Sequence, residues 1–329
     1  MKNFTIILIS SVLALICFEL FLKYSPFEWG VSAVKYNEKI GMWHKENFQE
    51  YIIKECYKNK YIYNDKGLPN NIVPYDSNKK DVILIGDSNV EAQMVKNENI
   101  MHNSLAKEFN YKYNFMNYGL SGTSPTQQLV ILQEKVDLNN TKYLLQFIDI
   151  EGDLLDVDSK NLSSLARPKV YVEFDNLDEY TIIPPREETL FDKISDKLNY
   201  YQSYLFVKKT LYFLKSKLTS KKEATPQTKE KADLSKNWLY LKGAIYQTAK
   251  LVKSIDSKIQ YKLVLRSKSE KNKAIMKKFL HEQNIDFFFL NETAKELNLK
   301  LESFTCDSHW TSKSHQNIAK IIKEIEFIK

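Results

Sequence analysis

Arginine is scarce in this sequence: among its 48 basic residues, only Arg167, Arg186 and Arg266 carry a guanidinium group. Arginine is the side chain that most often recognises bases and phosphates through paired hydrogen bonds. The formal net charge of +7 therefore comes from lysine, whose excess is typical of a solvated surface or of attraction to anionic lipid or glycan. We expect no nucleic-acid partner.

Cysteine is scarce as well, with 3 residues in the chain. Cys17 lies in an apolar run, which leaves Cys56 and Cys306 as the two cysteines that could pair. No CxxC motif occurs, so the usual spacing of a zinc site is missing. The number of cysteines does not by itself indicate a redox compartment.

Glycine is also rare, with 8 residues, and no glycine-rich phosphate loop follows the first clear strand. That absence argues against a flavin or nucleotide protein of flavodoxin-like fold. The composition, 43% hydrophobic and 27% charged, excludes a largely disordered chain and is enough for one sizeable core.

The longest apolar run lies at the amino terminus. Residues 5–22, TIILISSVLALICFELFL, contain one acid, Glu19, and reach the lower limit for a helix that spans a bilayer. A cleaved signal peptide is the alternative, but no small-x-small cleavage site follows the run. We therefore predict a transmembrane anchor over residues 1–23. Lys2 and the terminal amine favour a cytoplasmic amino end and an exported body in the periplasm or at the cell surface, whereas Lys23 opposes that orientation.

Strands and helices alternate from residue 80 onward. Strands are predicted at 82–85, 113–117, 143–148, 261–265 and 285–290, and helices at 98–109, 124–137, 238–254, 269–283 and 311–325. This alternation predicts a central parallel sheet covered on both faces, a three-layer α/β domain over residues 80–329. We interpret residues 156–235, which break the rhythm, as an insertion, and residues 24–79 as a membrane-proximal, partly extended segment.

The first chemistry-bearing segment is Gly86-Asp87-Ser88, at the end of the first predicted strand of the sheet. In open α/β sheets, functional groups gather at the carboxyl ends of the strands. Ser88 would lie at an exposed strand-to-helix corner. Serine is also a common helix cap, and that interpretation suffices for Ser88 taken alone.

A second segment, residues 117–124, follows the next short strand and contains Gly119 and Gly122. Glycine lets a backbone N–H approach a ligand closely, so an N–H of this loop is a candidate donor to an oxyanion. The alternative is an ordinary loop in which Thr123 or Ser124 caps the next helix.

The third segment is Asp307-Ser308-His309-Trp310, just before the last helix. In an extended stretch, Asp307 and His309 would point to the same side. A carboxylate placed in this way can orient an imidazole that deprotonates a serine. A buried, hydrogen-bonded histidine is the alternative.

Taken in this order, the three segments resemble the motif blocks of the SGNH hydrolases, also called GDSL esterases and lipases. The resemblance covers roughly residues 80–329, apart from the insertion. It implies a flavodoxin-like three-layer fold and acyl-ester chemistry without a metal. It also implies Ser88 as nucleophile, His309 as base and Asp307 as its orienting partner, with the N–H groups of Ser88 and Gly122 as oxyanion donors.

One block departs from the family pattern. The usual form is Gly-x-Asn-Asp, whose Asn is a further oxyanion donor, but here residues 147–153 are FIDIEGD and Gly152 stands at the Asn position. Removing one such donor typically costs about 10²- to 10³-fold in rate. Two hypotheses follow: a serine esterase or O-acyltransferase acting on a cell-envelope glycan such as an O-acetylated polysaccharide, or a weak or inactive envelope protein that binds glycan or partner proteins.

The same stretch contains Asp149, Glu151 and Asp153, which would share one face of a strand and could be interpreted as a metal cluster. No Asn, Gly or distal Glu completes a calcium loop around them. We therefore predict neither a metal nor another cofactor.

Overall fold

The computed structural model describes residues 2–24, 33–157, 168–199, 201–219 and 234–329. The chain divides into two compact units. The larger unit comprises residues 34–187 and 231–329, and the smaller unit residues 1–33 and 188–230.

Strands occur only in the larger unit, among the residues that the structure describes. They are β1 (Val34–Asn37), β2 (Gly41–His44), β3 (Gln49–Lys54), β4 (Tyr57–Ile62), β5 (Asp81–Ile85), β6 (Asn114–Asn117), β7 (Thr141–Asp149), β8 (Tyr171–Phe174), β9 (Tyr180–Ile183), β10 (Gln260–Arg266) and β11 (Asp286–Phe289). The helices are α1 (Lys2–Tyr24), α2 (Ser88–Glu91), α3 (Met101–Glu108), α4 (Pro125–Lys135), α5 (Ile150–Asp156), α6 (Leu190–Leu198), α7 (Gln202–Thr219), α8 (Leu234–Ile255), α9 (Glu270–Glu282), α10 (Leu290–Glu296) and α11 (Ser312–Glu324).

The centre of the larger unit is a five-stranded sheet in the order β6-β5-β7-β10-β11. All neighbouring strands in it are parallel. Numbered along the chain, the five strands follow the order 2-1-3-4-5, which is the flavodoxin-like arrangement. The predicted parallel sheet and fold class are confirmed.

Both faces of the sheet are buried under helices. Successive residues of a strand point to opposite sides, so each strand contributes to both cores. In β5, Val82 and Leu84 pack in a core with α3 and α11, whereas Ile83 and Ile85 pack in a core with α4 and α8. Strand β10 continues the second face by packing Leu263 against α8 and α9. Helices on both faces of one sheet give the three predicted layers.

Three antiparallel hairpins accompany the sheet: β1–β2, β3–β4 and β8–β9. The first two account for most of the segment that was predicted as membrane-proximal and partly extended, and they belong to the larger unit. The third comes from the predicted insertion. Of that insertion, residues 158–167, 200 and 220–233 lie outside the described residues.

The smaller unit contains α1, α6 and α7. Helix α1 is long and apolar enough over Phe4–Tyr24 to cross a membrane, and a signal sequence has the same length and composition. Glu19, the one acid of the apolar run, accepts hydrogen bonds from the backbone N–H groups of Gln202 (2.7 Å) and Ser203 (2.8 Å). These N–H groups open α7 and have no partner within that helix, so the carboxylate of Glu19 caps α7.

Candidate active site

Ser88 begins α2, directly after the turn that follows β5. The cap of this helix is Asp87, whose Oδ1 accepts the N–H of Asn89 at 2.8 Å. The interpretation of Ser88 as a helix cap is therefore wrong, and its hydroxyl is left for other partners. Burial raises the pKa of Asp87.

The structure brings the three predicted catalytic side chains into one chain of hydrogen bonds. His309 Nε2 lies 2.8 Å from Ser88 Oγ, and His309 Nδ1 is hydrogen-bonded to Asp307 Oδ1. The side chain of Asp307 is 7% exposed and that of His309 is 22% exposed. The imidazole thus stays accessible beside the serine while the carboxylate behind it is shielded, which is the arrangement of a serine–histidine–aspartate triad.

The backbone that carries Asp307 and His309 differs from the expected extended stretch. Residues 305–309 form a turn and bends, closed by the Phe304 N–H donating to His309 C=O at 3.0 Å and by a bridge between Ser303 and Trp310. The two side chains meet because the loop folds back on itself, and strand alternation has no part in it.

The second carboxylate oxygen of Asp307 has partners that sequence analysis missed. Asp307 Oδ2 accepts hydrogen bonds from Lys54 Nζ (2.5 Å) and from the Tyr57 hydroxyl (2.9 Å). Burial raises the pKa of Asp307, but hydrogen bonds from Lys54, Tyr57 and His309 outweigh it and hold that pKa well below its usual range. The carboxylate is therefore kept in its charged form.

A disulfide between Cys56 and Cys306 joins the β3–β4 turn to the residue before Asp307. Sequence analysis left these as the two cysteines that could pair. A pairing so far apart in the chain was the one signal in the sequence that could have drawn attention to Lys54 and Tyr57, which flank Cys56.

The loop of residues 117–124 packs directly on α2. The Leu120 N–H donates to Gly86 C=O at 3.0 Å, and a Cβ placed on Gly119 would lie 2.3 Å from Glu91 N. Gly122 is exposed and has φ +74°, in the left-handed region that favours glycine. Within the described part of the chain, the N–H groups of Ser88 and Gly122 have no hydrogen-bond partner, so both predicted oxyanion donors are free.

Ser124 is the N-cap of α4, and its N–H donates to Gln127 Oε1 at 2.6 Å. The alternative interpretation of this loop, in which Thr123 or Ser124 caps the next helix, is therefore correct for Ser124. That role does not occupy the N–H of Gly122. The same loop can therefore cap α4 through Ser124 and still present the Gly122 N–H as a candidate oxyanion donor.

A buried carboxylate that sequence analysis did not single out anchors the same loop. Glu91 Oε2 accepts the N–H of Ser121 at 2.7 Å and also its hydroxyl, while Oε1 accepts from His44 Nε2 (2.8 Å) and the Tyr63 hydroxyl (3.0 Å). Burial raises the pKa of Glu91, but His44 and Ser121 hold it below its usual range.

Residues 147–153 correspond to the family block that usually carries an Asn, and they do not form the single strand that we expected. Strand β7 ends at Asp149, which caps α5, and Glu151 and Asp153 lie in that helix. The three carboxylates therefore do not share one strand face. Gly152 is exposed in α5, and a Cβ there would meet the nearest atom, in Asp149, at 3.8 Å.

The three carboxylates also have separate partners. Asp149 lies 3.4 Å from Arg266, Glu151 accepts from the Ser267 hydroxyl at 2.6 Å, and Asp153 accepts the N–H of Asp149 at 2.9 Å. Over the described ranges, no group of three His, Cys, Asp or Glu side chains is arranged to hold a metal ion.

Two adjoining depressions are lined by sequence neighbours of Ser88 and His309. The smaller is lined by Asp87, Asn89 and Trp310, and the Trp310 N–H donates to Asn89 Oδ1 at 3.3 Å. The larger, an open cleft of about 430 Å³, shares Arg266 and Trp310 with the smaller one. Further lining residues of the cleft are Asn291, Lys295, Asn298 and Lys300. A polar cleft thus borders Trp310, the residue that follows His309.

No protein-family profile matches the sequence, and no curated protein matches it. Among solved structures, the chain is similar to a GDSL-like lipase from Bacteroides thetaiotaomicron, with 12% identity over 77% of this chain and 91% of that chain and a TM-score of 0.37. It is similar to an acetylxylan esterase from Geobacillus stearothermophilus, with 14% identity over 76% of this chain and 95% of that chain and a TM-score of 0.39.

A further similar structure is a two-domain esterase active on acetylated mannans, with 8% identity over 75% of this chain and a TM-score of 0.39. The chain spans 48% of that protein's length. In the order of its three motifs and in the strand order of its sheet, the chain resembles the SGNH hydrolases.

Proposed function

We propose that this protein is a serine-dependent acyl-ester enzyme that acts on an O-acetylated polysaccharide or glycan of the cell envelope. The observation that carries the proposal is the hydrogen-bonded chain Ser88–His309–Asp307 at the carboxyl edge of the parallel sheet. A hydroxyl, an imidazole and a shielded carboxylate in this order form a nucleophile, its base and the group that orients the base.

In the first half of the reaction, Ser88 Oγ attacks the ester carbonyl carbon while His309 Nε2 takes the hydroxyl proton. Asp307 holds the Nδ1–H and stabilises the imidazolium that forms. The free N–H groups of Ser88 and Gly122 stabilise the negative charge on the carbonyl oxygen. His309 then gives its proton to the departing sugar oxygen as the C–O bond breaks, which leaves an acyl-serine.

In the second half, an acceptor oxygen attacks the acyl carbon while His309 removes the acceptor's proton. The bond from that carbon to Ser88 Oγ then breaks, and His309 returns the proton to Ser88 Oγ. Water as acceptor makes the protein an esterase, and a sugar hydroxyl makes it an O-acyltransferase. The same residues serve both reactions, so the acceptor alone distinguishes them. The open polar cleft beside Trp310 supports a sugar-chain substrate, because its volume and its amide and ammonium groups suit a hydroxyl-rich ligand.

The cell envelope is proposed from two features. Helix α1 has the length of a membrane span, and the Cys56–Cys306 disulfide is of a kind that persists in oxidising surroundings outside the cytoplasm. An anchored enzyme with its body on that side would meet envelope polysaccharides.

A fluorophosphonate probe applied to the full-length protein in detergent tests the nucleophile. We expect wild type to be labelled and Ser88→Ala to be unlabelled. Ser308→Ala, which alters an exposed serine beside the triad, is the matched control and should label like wild type. Release of acetate from an acetylated oligosaccharide, or its transfer to an added acceptor sugar, then identifies the reaction.

The second hypothesis is a glycan-binding protein with a weak or inactive site, and the glycine at position 152 favours it. Folded wild-type protein that takes no probe and releases no acetate, yet binds an acetylated glycan, would select this alternative over the enzyme.

A further inference from the structure

The β3–β4 hairpin contributes charge and hydrogen bonds to the triad, although it lies outside the three motifs. We propose that Lys54 and Tyr57 are positioning residues that orient Asp307 and moderate its attraction for the His309 imidazolium. This inference rests on the proposed function, since it assigns a role within the same site.

The contacts of Asp307 carry the inference. One carboxylate oxygen takes His309 Nδ1, and the other takes the Lys54 ammonium at 2.5 Å and the Tyr57 hydroxyl at 2.9 Å. The Asp307 side chain is 7% exposed, whereas that of Lys54 is 51% exposed. The carboxylate is thus hydrogen-bonded through both oxygens, which fixes the orientation of its plane towards His309.

Both donors belong to the tightest part of the hairpin. Lys54 and Tyr57 are register partners that close the β3–β4 turn, and Cys56 between them is bonded to Cys306. The Tyr57 ring also packs on Phe304, with ring centroids 4.9 Å apart. The hairpin is therefore attached to the triad loop by a covalent bond, a ring contact and two hydrogen bonds.

The disulfide allows a positioning role of Lys54 and Tyr57 to be distinguished from a purely structural one. Because the disulfide keeps the hairpin on the triad loop, removal of one donor leaves the backbone tied in place. The effect of that removal is then felt mainly at the carboxylate of Asp307.

The charges around His309 determine in which direction Lys54 and Tyr57 change the attraction between Asp307 and the imidazolium. Asp307 faces Lys54, Tyr57 and His309, and Asp87 is a further titratable group that interacts with His309. A cation and a hydroxyl donor on Asp307 neutralise part of its charge, so the imidazolium of His309 is stabilised less. Removal of either donor should therefore strengthen the hold of Asp307 on the protonated imidazole.

The test is the pH dependence of kcat/KM for a chromogenic acetate ester, measured on the full chain with the disulfide formed. Lys54→Met should move the acid limb of the profile to higher pH, by about half to one pH unit. Tyr57→Phe should move it in the same direction by less. Lys54→Arg, which keeps the cation, should restore the wild-type limb.

Lys60→Met is the matched control, because Lys60 is an exposed lysine of the same hairpin. It makes the same change in net charge and should leave the limb in place. An NMR titration of the His309 ring should show the same upward displacement in Lys54→Met, and this readout does not depend on turnover.

An acid limb and a His309 titration that stay at their wild-type positions in both Lys54→Met and Tyr57→Phe would overturn the inference. A uniform loss of kcat/KM without movement of the limb would likewise assign the contacts to stability alone. Failure of the proposed function is a different result: wild type would then show neither ester turnover nor probe labelling, whatever the His309 titration does.

Discussion

Glu91 and Ser121 connect the two halves of the proposed site. The carboxylate of Glu91, at the end of the short helix that Ser88 begins, accepts both the N–H and the hydroxyl of Ser121. Ser121 directly precedes Gly122, whose N–H has no hydrogen-bond partner among the described residues. The proposed nucleophile and one proposed oxyanion donor are therefore connected through a single buried side chain, 1% exposed.

Glu91→Gln should lower kcat about 10- to 100-fold with little change in KM, because the amide nitrogen cannot accept the two Ser121 donors and the loop loses its fixed position. Stability should fall by about 1–3 kcal/mol, the usual cost of a buried polar group left without its hydrogen bond, here the Ser121 N–H. Steady-state kinetics at 25 °C and denaturant unfolding measure both. Exposed Glu98→Gln should change neither. Wild-type kcat in Glu91→Gln would show that the loop needs no such anchor.

Asp307 should also make stability depend on pH. The folded-state pKa of Asp307 lies below the unfolded value of about 3.9. Its contribution to the free energy of unfolding is therefore complete above the unfolded pKa and is lost as the pH falls towards the folded pKa. The difference in unfolding free energy between wild type and Asp307→Asn should therefore be largest near pH 6 and shrink below about pH 4. Urea unfolding at several pH values measures it. A difference that is constant from pH 6 to pH 3 would contradict the lowered pKa.

Reduction of the Cys56–Cys306 disulfide should lower both stability and ester turnover. The bond closes a long loop, with a sequence separation of 250 residues, and loss of a native disulfide typically costs about 2–5 kcal/mol. Thermal melting and activity with and without dithiothreitol measure the effect. Cys17→Ser should remain sensitive to the reductant, and the Cys56→Ser/Cys306→Ser double variant should not respond to it further. A wild type indifferent to reduction would mean that the hairpin stays in place without the bond.

Two glycines offer a matched pair of substitutions. Gly119→Ala would place a Cβ 2.3 Å from the backbone nitrogen of Glu91, so the loop must shift; we expect about 1–3 kcal/mol of destabilisation and at least a tenfold loss of kcat. Gly152→Ala lies in an exposed helical position with room for a Cβ, and should stabilise by up to about 1 kcal/mol with unchanged activity. Melting and kcat of both variants test this contrast. Equal effects from the two would refute the close packing of the Gly119 loop on α2.

The sheet could be predicted because its strands carry a local signal. The run Val82–Ile85 is apolar on both faces, as a strand covered on both sides must be, and the alternation with helices then determines a parallel order. The motif segments around Ser88 and His309 could be located for the same reason: each follows or precedes a recognisable element.

The hairpin β3–β4 could not be found in this way. Its residues Gln49–Lys54 are mostly half-buried or exposed, so no period of two appears in the sequence. The contacts of Lys54 and Tyr57 with Asp307 join residues about 250 positions apart, and no local pattern encodes such a pairing. The prediction that Phe147–Asp153 forms one strand was wrong. Polar and apolar residues alternate there as in a strand, but Asp149 ends the strand by capping α5.

The contact between Glu19 and the start of α7 has a consequence for the amino-terminal helix. A lone carboxylate inside an apolar segment is costly in lipid unless something nearby satisfies it, and here the satisfying groups are main-chain donors supplied by a stretch 183 residues later in the chain. The proposed membrane anchor would then depend on the helices of the smaller unit. Deletion of residues 188–230 would leave the Glu19 carboxylate without these donors and should weaken retention of the protein in a membrane fraction.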